Sequence, residues 1–242
     1  MVSDVFCLCK RFFKAVLFEV QEIIEGILRS WPGRLGVFLR WCYYRCRLKY
    51  VGKGVVIKTG VRFVGHRYIT LQDGCIVDFN CLIFAGPFSS SPYEKKYVPN
   101  SDFHLGEGEV RIGRKVHLSV GCYILGNGGV DIGDYSCLAA GTRVLSLTNH
   151  YRSFSEPHRR NVYFTINVPK ENACFLYGPI VLQENAGVAS HCILLPGLTM
   201  EKDSFLAIGS VARGRIESNS IAAGNPAVRI KERFTDSSGK KE

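Results

Sequence analysis

Acidic side chains are scarce in this 242-residue chain: 21 Asp and Glu stand against 31 Lys and Arg, a formal net charge of +10. Such a balance suits a membrane surface, an anionic small molecule or nucleic acid, or reflects a solvated cationic face. No nucleic-acid recognition motif accompanies the charge, so nucleic acid is not an expected partner. Spaced metal ligands are missing too. Cys7-Leu-Cys9 and Cys42…Cys46 lack partner pairs of CxxC spacing, so no metal site is expected. No apolar run is long and uninterrupted enough to cross a bilayer. The N-terminal stretch also lacks the small-residue cleavage site of a signal peptide. Ten cysteines would suggest a disulfide framework only in a small secreted chain. Here Cys75, Cys81, Cys122, Cys137 and Cys192 lie in or beside repeated units that want a small buried residue. They read as reduced structural thiols, which predicts a cytoplasmic protein.

Helical periodicity is confined to the first fifth of the chain. Val5, Leu8, Phe12, Phe13, Val16, Val20, Ile23, Ile24 and Ile27 recur at three- and four-residue spacing, which predicts an amphipathic helix over 5–28. Ser30-Trp31-Pro32-Gly33 interrupts it, and a second helical stretch, rich in Arg and aromatics, follows over 34–50. Residues 1–53 hold ten Lys and Arg against four acids, so the positive excess is concentrated there. Residues 1–50 are expected to cap the open end of the domain that follows, which would otherwise expose unpaired backbone. The same composition also suits contact with the inner face of a membrane.

From Val51 onward a six-residue beat replaces the helical one. Apolar residues return at Ile112, Leu118 and Ile124, then at Ile132, Leu138 and Val144. They return again at Leu182, Val188, Leu194, Met200, Leu206 and Ala212. Val51, Ile57 and Phe63, then Leu71, Val77 and Ile83, carry a weaker version. A period of six fits neither an α-helix nor an ordinary strand; it predicts a parallel β-helix whose stacked coils bury the beat positions. The predicted domain spans 51–231, with a charged tail over 232–242. Two segments break the beat, 86–108 and 151–178, and are expected to leave at coil corners as outward loops.

Two stretches carry more than periodicity. Residues 178–230, with ILLPGLTM and IAAGNPAVRI, resemble the C-terminal coils of the hexapeptide-repeat acyltransferases, particularly the sugar O-acetyltransferases. Residues 130–154 (VDIGDYSCLAAGTRVLSLTNHYRSF) are similar to the coil pair that ends in the family's catalytic histidine. The lead-in WPGRLGVFLRWCYYRCRLKYVGKGVVI resembles that of polysaccharide-modifying members. The resemblance implies a mainly β, left-handed parallel β-helix of hexapeptide repeats, a homotrimer with sites between subunits, and acetyl-CoA as acyl donor. It implies acetyl transfer to a sugar hydroxyl in bacterial surface-polysaccharide assembly. The acceptor would be a small-molecule or lipid-linked sugar. The nearest alternative is N-acetylation of a nucleotide-linked amino sugar.

Acyl transfer to a hydroxyl needs a base, and histidine side chains titrate in the working range. The resemblance assigns that role to His150, preceded by Asn149, where a well-formed coil breaks into the second insertion. It places Ala189, Ser190, Ala207, Ile208, Arg213 and Arg229 along acetyl-CoA, although Gly187 stands where relatives carry tryptophan. It places Ser119 and Asn127 at the acceptor. Two other classes are weighed on the same coils. A zinc hydratase like the γ-type carbonic anhydrases needs three converging imidazoles, and His117, His150 and His191 lack that spacing. A non-catalytic scaffold would have no use for Asn149-His150 beside intact LPG and AGNP elements.

Overall fold

The structure, a computed structural model, describes Val16 and residues 19–165 and 167–235. Most of the 232–242 tail and the start of the expected 5–28 helix lie outside the described residues. The body is a left-handed parallel β-helix, a triangular prism in which each coil gives one short strand to each of three faces. The first face holds seven strands, from Tyr50–Val51 through Val110–Ile112 and Val130–Ile132 to Arg215–Ile216. The second runs from Val56–Ile57 through Cys137–Leu138 and Phe205–Leu206 to Ser220–Gly224, and the antiparallel strand Ala227–Glu232 ends it. The third holds six, from Arg62–Val64 through Tyr123–Leu125 and Arg143–Leu145 to Val211–Ala212.

The beat produces this shape because equivalent positions stack coil on coil. Ile112 pairs with Ile132, Leu118 with Leu138 and Ile124 with Val144. All six are fully buried, as are Ile57, Leu71, Val77, Ile83, Leu194 and Met200. A second interior position two residues earlier takes smaller side chains: Cys75, Cys81, Cys122 and Cys192 stack there with Ser136, Thr142 and Ala186. Cys137 departs from the expectation. It is exposed, because the residue before each beat position points to the outer side of the strand. Several corners turn through residues of positive φ, among them Asn80, Tyr135, Asn185 and His191.

Two helices sit at the first coil: α1 over residues 19–30 and α2 over Gly33–Arg45. Tyr44 of α2 is buried edge-on against Phe63, ring centroids 4.8 Å apart. Trp41 Nε1 donates to the Gly52 carbonyl. Arg40, also buried, donates from Nε to the Ile57 carbonyl at 2.9 Å and from Nη1 to the Leu28 and Trp31 carbonyls at 2.7 Å. Its charge thus meets the negative end of α1. Glu25 of α1 turns inward and accepts from Tyr43 Oη at 3.0 Å. On the opposite side of α1, Val16, Val20, Ile23, Ile24 and Ile27 form an exposed apolar stripe, and Trp31, Leu35 and Phe38 are exposed beyond it. The helices therefore cover the end of the prism and still present an apolar outer surface.

Candidate active site

Both insertions leave the prism at the corner between the third and first faces, one after Leu82–Phe84 and the other after Arg143–Leu145. They are not independent loops. Leu147–His150 runs antiparallel to Cys174–Tyr177, which runs parallel to Glu94–Tyr97, so the two insertions together build one three-stranded sheet. Between their roots lies the short corner Gly126-Asn127-Gly128-Gly129. A Cβ on Gly128 would stand 2.4 Å from the Ser146 carbonyl oxygen and 2.7 Å from Gly178 N, so only glycine lets the extension close against the coil. Gly178 N donates to the Ser146 carbonyl, and Ser146 Oγ accepts from Gly128 N. Beyond its strand the first insertion returns as a strap across the first face. Asn100 donates to the Leu198 carbonyl, and Asp102 accepts from Thr199 and Arg215.

His150 ends the strand that leaves the prism. Its Nδ1 lies 2.8 Å from the Arg152 carbonyl oxygen, an acceptor only, so Nδ1 is the donor, and in the neutral tautomer this bond selects the lone pair belongs to Nε2. The Phe154 ring stacks on the imidazole at 4.3 Å and Tyr151 tilts against it at 4.5 Å. Asn149 beside it donates to the Phe164 carbonyl at 3.4 Å. Phe88, Tyr93, Phe175 and Tyr177 form an aromatic cluster on the same extension, with centroids 5.0–6.3 Å apart.

Glu94, on the first insertion, holds the segment that follows His150. Its Oε1 accepts from Phe154 N at 2.6 Å, Ser155 N at 2.9 Å, Ser153 Oγ at 2.9 Å and Ser155 Oγ at 3.1 Å. Its Oε2 accepts from Cys174 Sγ at 3.2 Å. Burial alone would raise its pKa, but the hydrogen bonds from Ser155, Cys174, Ser153 and Phe154 bring it down to about 2. The carboxylate's contribution to stability is therefore complete above the ordinary carboxylate range and lost as pH falls toward that value. Burial and the neighbouring carboxylate push the Cys174 thiol up to about 11, so it stays a donor at neutral pH.

The other expected site residues fall into separate places. Ala189, Ser190, Ala207 and Ile208 come together at the corner between the second and third faces, in adjacent coils joined by Gly209 N donating to the Ser190 carbonyl. Here small side chains and exposed Ile208 share one edge of the prism, where an extended pantetheine chain could lie. Gly187 has no tryptophan to offer, but Phe205 of the next coil occupies that space: a Cβ on Gly187 would stand 2.7 Å from its ring. Arg229, opposite Ala222 on the final strand, pairs with Glu217 at 3.7 Å and Glu232 at 3.8 Å. Arg213 is exposed at the next corner, across the third face from the small residues. Asn127 donates from Nδ2 to the Gly86 carbonyl at 3.0 Å, a tie at the root of the first insertion. Ser119 lies at the small-residue corner, so one chain does not bring it to His150. His117 lies 3.4 Å from Asp78 on the second face, and His191 stands over Gly141 at a corner, so neither meets His150. Among the described residues no group of three His, Cys, Asp or Glu is placed to hold a metal ion.

No family model matches the chain. It is 23% identical over 185 residues to a dTDP-4-amino-4,6-dideoxy-D-glucose acyltransferase of Escherichia coli, covering 76% of this chain and 82% of that one. It is 29% identical over 123 residues to the galactoside O-acetyltransferase of Escherichia coli K12, covering 51% of this chain and 54% of the relative. The chain thus matches only about half the length of that second relative. Among solved structures it superposes on AntD, an N-acyltransferase from Bacillus cereus in complex with dTDP and coenzyme A, with a TM-score of 0.64 and 16% identity. That match covers 85% of this chain and 92% of the neighbour. The chain thus shares the left-handed β-helix fold with this neighbour, and in sequence it is similar to acyltransferases.

Proposed function

We propose that the protein transfers an acetyl group from acetyl-CoA to a sugar hydroxyl, with His150 as the base. The observation that carries this reading is the fixed imidazole: Nδ1 bound to the Arg152 carbonyl, and Nε2 without a hydrogen-bond partner among the described residues. A sugar hydroxyl is barely ionised at neutral pH and attacks a thioester only as its proton leaves. Nε2 takes that proton as the oxygen bonds to the carbonyl carbon. The C–S bond then breaks, and the proton passes to the departing thiolate. Exposed Tyr151 and Tyr163, with the exposed Arg152 and Arg160 side chains of the second insertion, suit a sugar that carries an anionic group. The test is thiol release from acetyl-CoA with paired hydroxyl and amino acceptors.

A second reading is N-acylation of a nucleotide-linked amino sugar. It is favoured by the length over which the chain follows the dTDP-amino-sugar acyltransferase and the dTDP-bound neighbour. An amine in its neutral form needs less help from a base, so that reaction would depend less on His150.

The acting unit in this proposal is a homotrimer. His150 leaves one edge of the third face, while Ser119, Ala189, Ser190, Ala207 and Ile208 line the other. Side-by-side packing around a three-fold axis would set the base of one copy against the small-residue edge of the next. Mixing two separately inactive variants, His150→Ala and Ser190→Trp, and reassembling them should restore part of the wild-type turnover. Each mixed interface of the correct order then holds one intact half from each copy. Complete failure of the mixture, with trimers confirmed by light scattering, would put the whole site within one chain.

The stripe of Val20, Ile23, Ile24 and Ile27, with Trp31, Leu35 and Phe38, belongs in this proposal to the inner face of an anionic membrane. No described helix is long and apolar enough to cross one. Cosedimentation with vesicles containing anionic lipid is expected, and is expected to weaken when Ile23 and Ile27 are both replaced by Ser.

A further inference from the structure

The cross-strand register of the extension puts three chemically active side chains in one row. His150 is the register partner of Cys174, and Cys174 is the partner of Glu94. Directly opposed residues share a face of the sheet, so Glu94 and His150 lie on the same side, two strands apart, at about 9.6 Å by ordinary strand spacing. Among the described residues the carboxylate makes no hydrogen bond to the imidazole, and each has other partners. The gap is filled by the chain that follows His150. Residues 152–155 fold back over the row, and two amides and two hydroxyls of this segment converge on one oxygen of Glu94.

We propose that Glu94 is a positioning residue for the acyl-transfer site, acting on His150 through the segment it clamps. The inference rests on the reading of His150 as the base and deepens it. The Phe154 and Ser155 amides and the Ser153 and Ser155 hydroxyls are fixed by the carboxylate. This fixes the Phe154 ring against the imidazole and the Arg152 carbonyl against Nδ1. The carbonyl selects the Nδ1–H tautomer of the neutral ring and the Phe154 ring selects the orientation, so the Nε2 lone pair of that tautomer points in one direction. Ser153 Oγ completes the turn by accepting from Glu156 N at 2.9 Å. Arg159, whose Nη2 lies 3.7 Å from Oε2, and Cys174 hold the carboxylate from its other side. Glu94 belongs to the first insertion and His150 precedes the second, so the base is oriented only when both insertions have paired.

Glu94→Ala and Glu94→Gln separate positioning from simple folding. Alanine leaves two amides and two hydroxyls without their acceptor. Glutamine keeps an oxygen where all four bonds converge. Turnover in Glu94→Ala is expected to drop about 10²-fold, the scale of a small misplacement of a reacting group. The KM for acetyl-CoA should move less than about threefold, because the small-residue edge is untouched. Glu94→Gln should recover most of the loss. Nitrogen chemical shifts of the His150 ring give a readout that a merely structural role would not move. The wild type should show a protonated Nδ1 and a bare Nε2, and Glu94→Ala an averaged pair of tautomers. Ser153→Ala, which removes one donor and one acceptor of the turn, should shift the ring signals in the same direction if Glu94→Ala fails to fold. Ring signals or turnover unchanged in a folded Glu94→Ala would overturn the inference. Persistent turnover in His150→Ala alongside altered ring signals in Glu94→Ala would instead remove the base assignment and leave the clamp standing.

Discussion

Replacing His150 by Ala is expected to lower kcat with a hydroxyl acceptor by about 10²- to 10⁴-fold, the usual worth of a positioned base. The affinity for acetyl-CoA should stay within a few-fold of wild type. The small-residue edge of Ala189, Ser190, Ala207 and Ile208 lies across the third face from the extension that carries His150. Loss of chemistry without loss of donor binding is therefore the signature to look for, measured by calorimetry with free CoA and by thiol release. Because the imidazole is half-exposed and its neighbours Tyr151 and Phe154 are aromatic, the truncation opens a gap at the surface and not in the core. The fold should survive it.

Arg40 is the position where the largest loss of stability is expected. The guanidinium is buried, no carboxylate among the described residues bonds to it, and it donates to three backbone carbonyls that belong to three different segments. Ile57 is in the first coil, Leu28 ends α1, and Trp31 lies in the break between the helices. Arg40→Ala removes all three bonds and leaves the end of α1 without its cation, a cost of about 3 kcal/mol. For a domain of this size that corresponds to about 6–12 °C in Tm. Gly36 shows how tight this junction is: a Cβ there would stand 2.1 Å from the Trp31 carbonyl oxygen. The loss should appear as a lower midpoint in thermal unfolding. Hydrogen exchange should also be faster in 19–45, with coils beyond residue 110 still protected. A change of less than about 1 °C would mean that the helices are docked by apolar contact alone.

The prism was legible in the sequence because its physics is local and repetitive. Each six-residue unit carries its own beat residue and corner, so Ile112, Leu118 and Ile124 announce their burial without knowledge of distant partners. The break at Ser30-Trp31-Pro32-Gly33 was equally readable, since proline and glycine end a helix wherever they stand. Cys137 misled because thiol composition carries no direction; only the alternation of the strand decides that it faces out. The site is different in kind. His150 is singled out only through the resemblance of its coil ending to a known family, and its role is a proposal. Glu94 sits in a polar stretch, SSSPYEKKYV, with no periodicity to mark it, and acts across a register that links residues 56 and 80 positions apart. The same holds for Gly128, whose importance appears only when Ser146 and Gly178 are seen beside it. Asn127, expected at the acceptor, donates to the Gly86 carbonyl at the root of the first insertion, a contact no spacing encodes.

The most direct measurement is acetyl-CoA-dependent thiol release by the wild type and by His150→Ala with matched sugars that differ only in bearing a hydroxyl or an amine at the reacting carbon. Mass spectrometry of the products would locate the acyl group. Hydroxyl-dependent release by the wild type, an O-acetyl product and loss of both in His150→Ala are the predicted results. Acylation of the amine alone, at a rate that His150→Ala leaves unchanged, would contradict the account and move the protein to the N-acyltransferases.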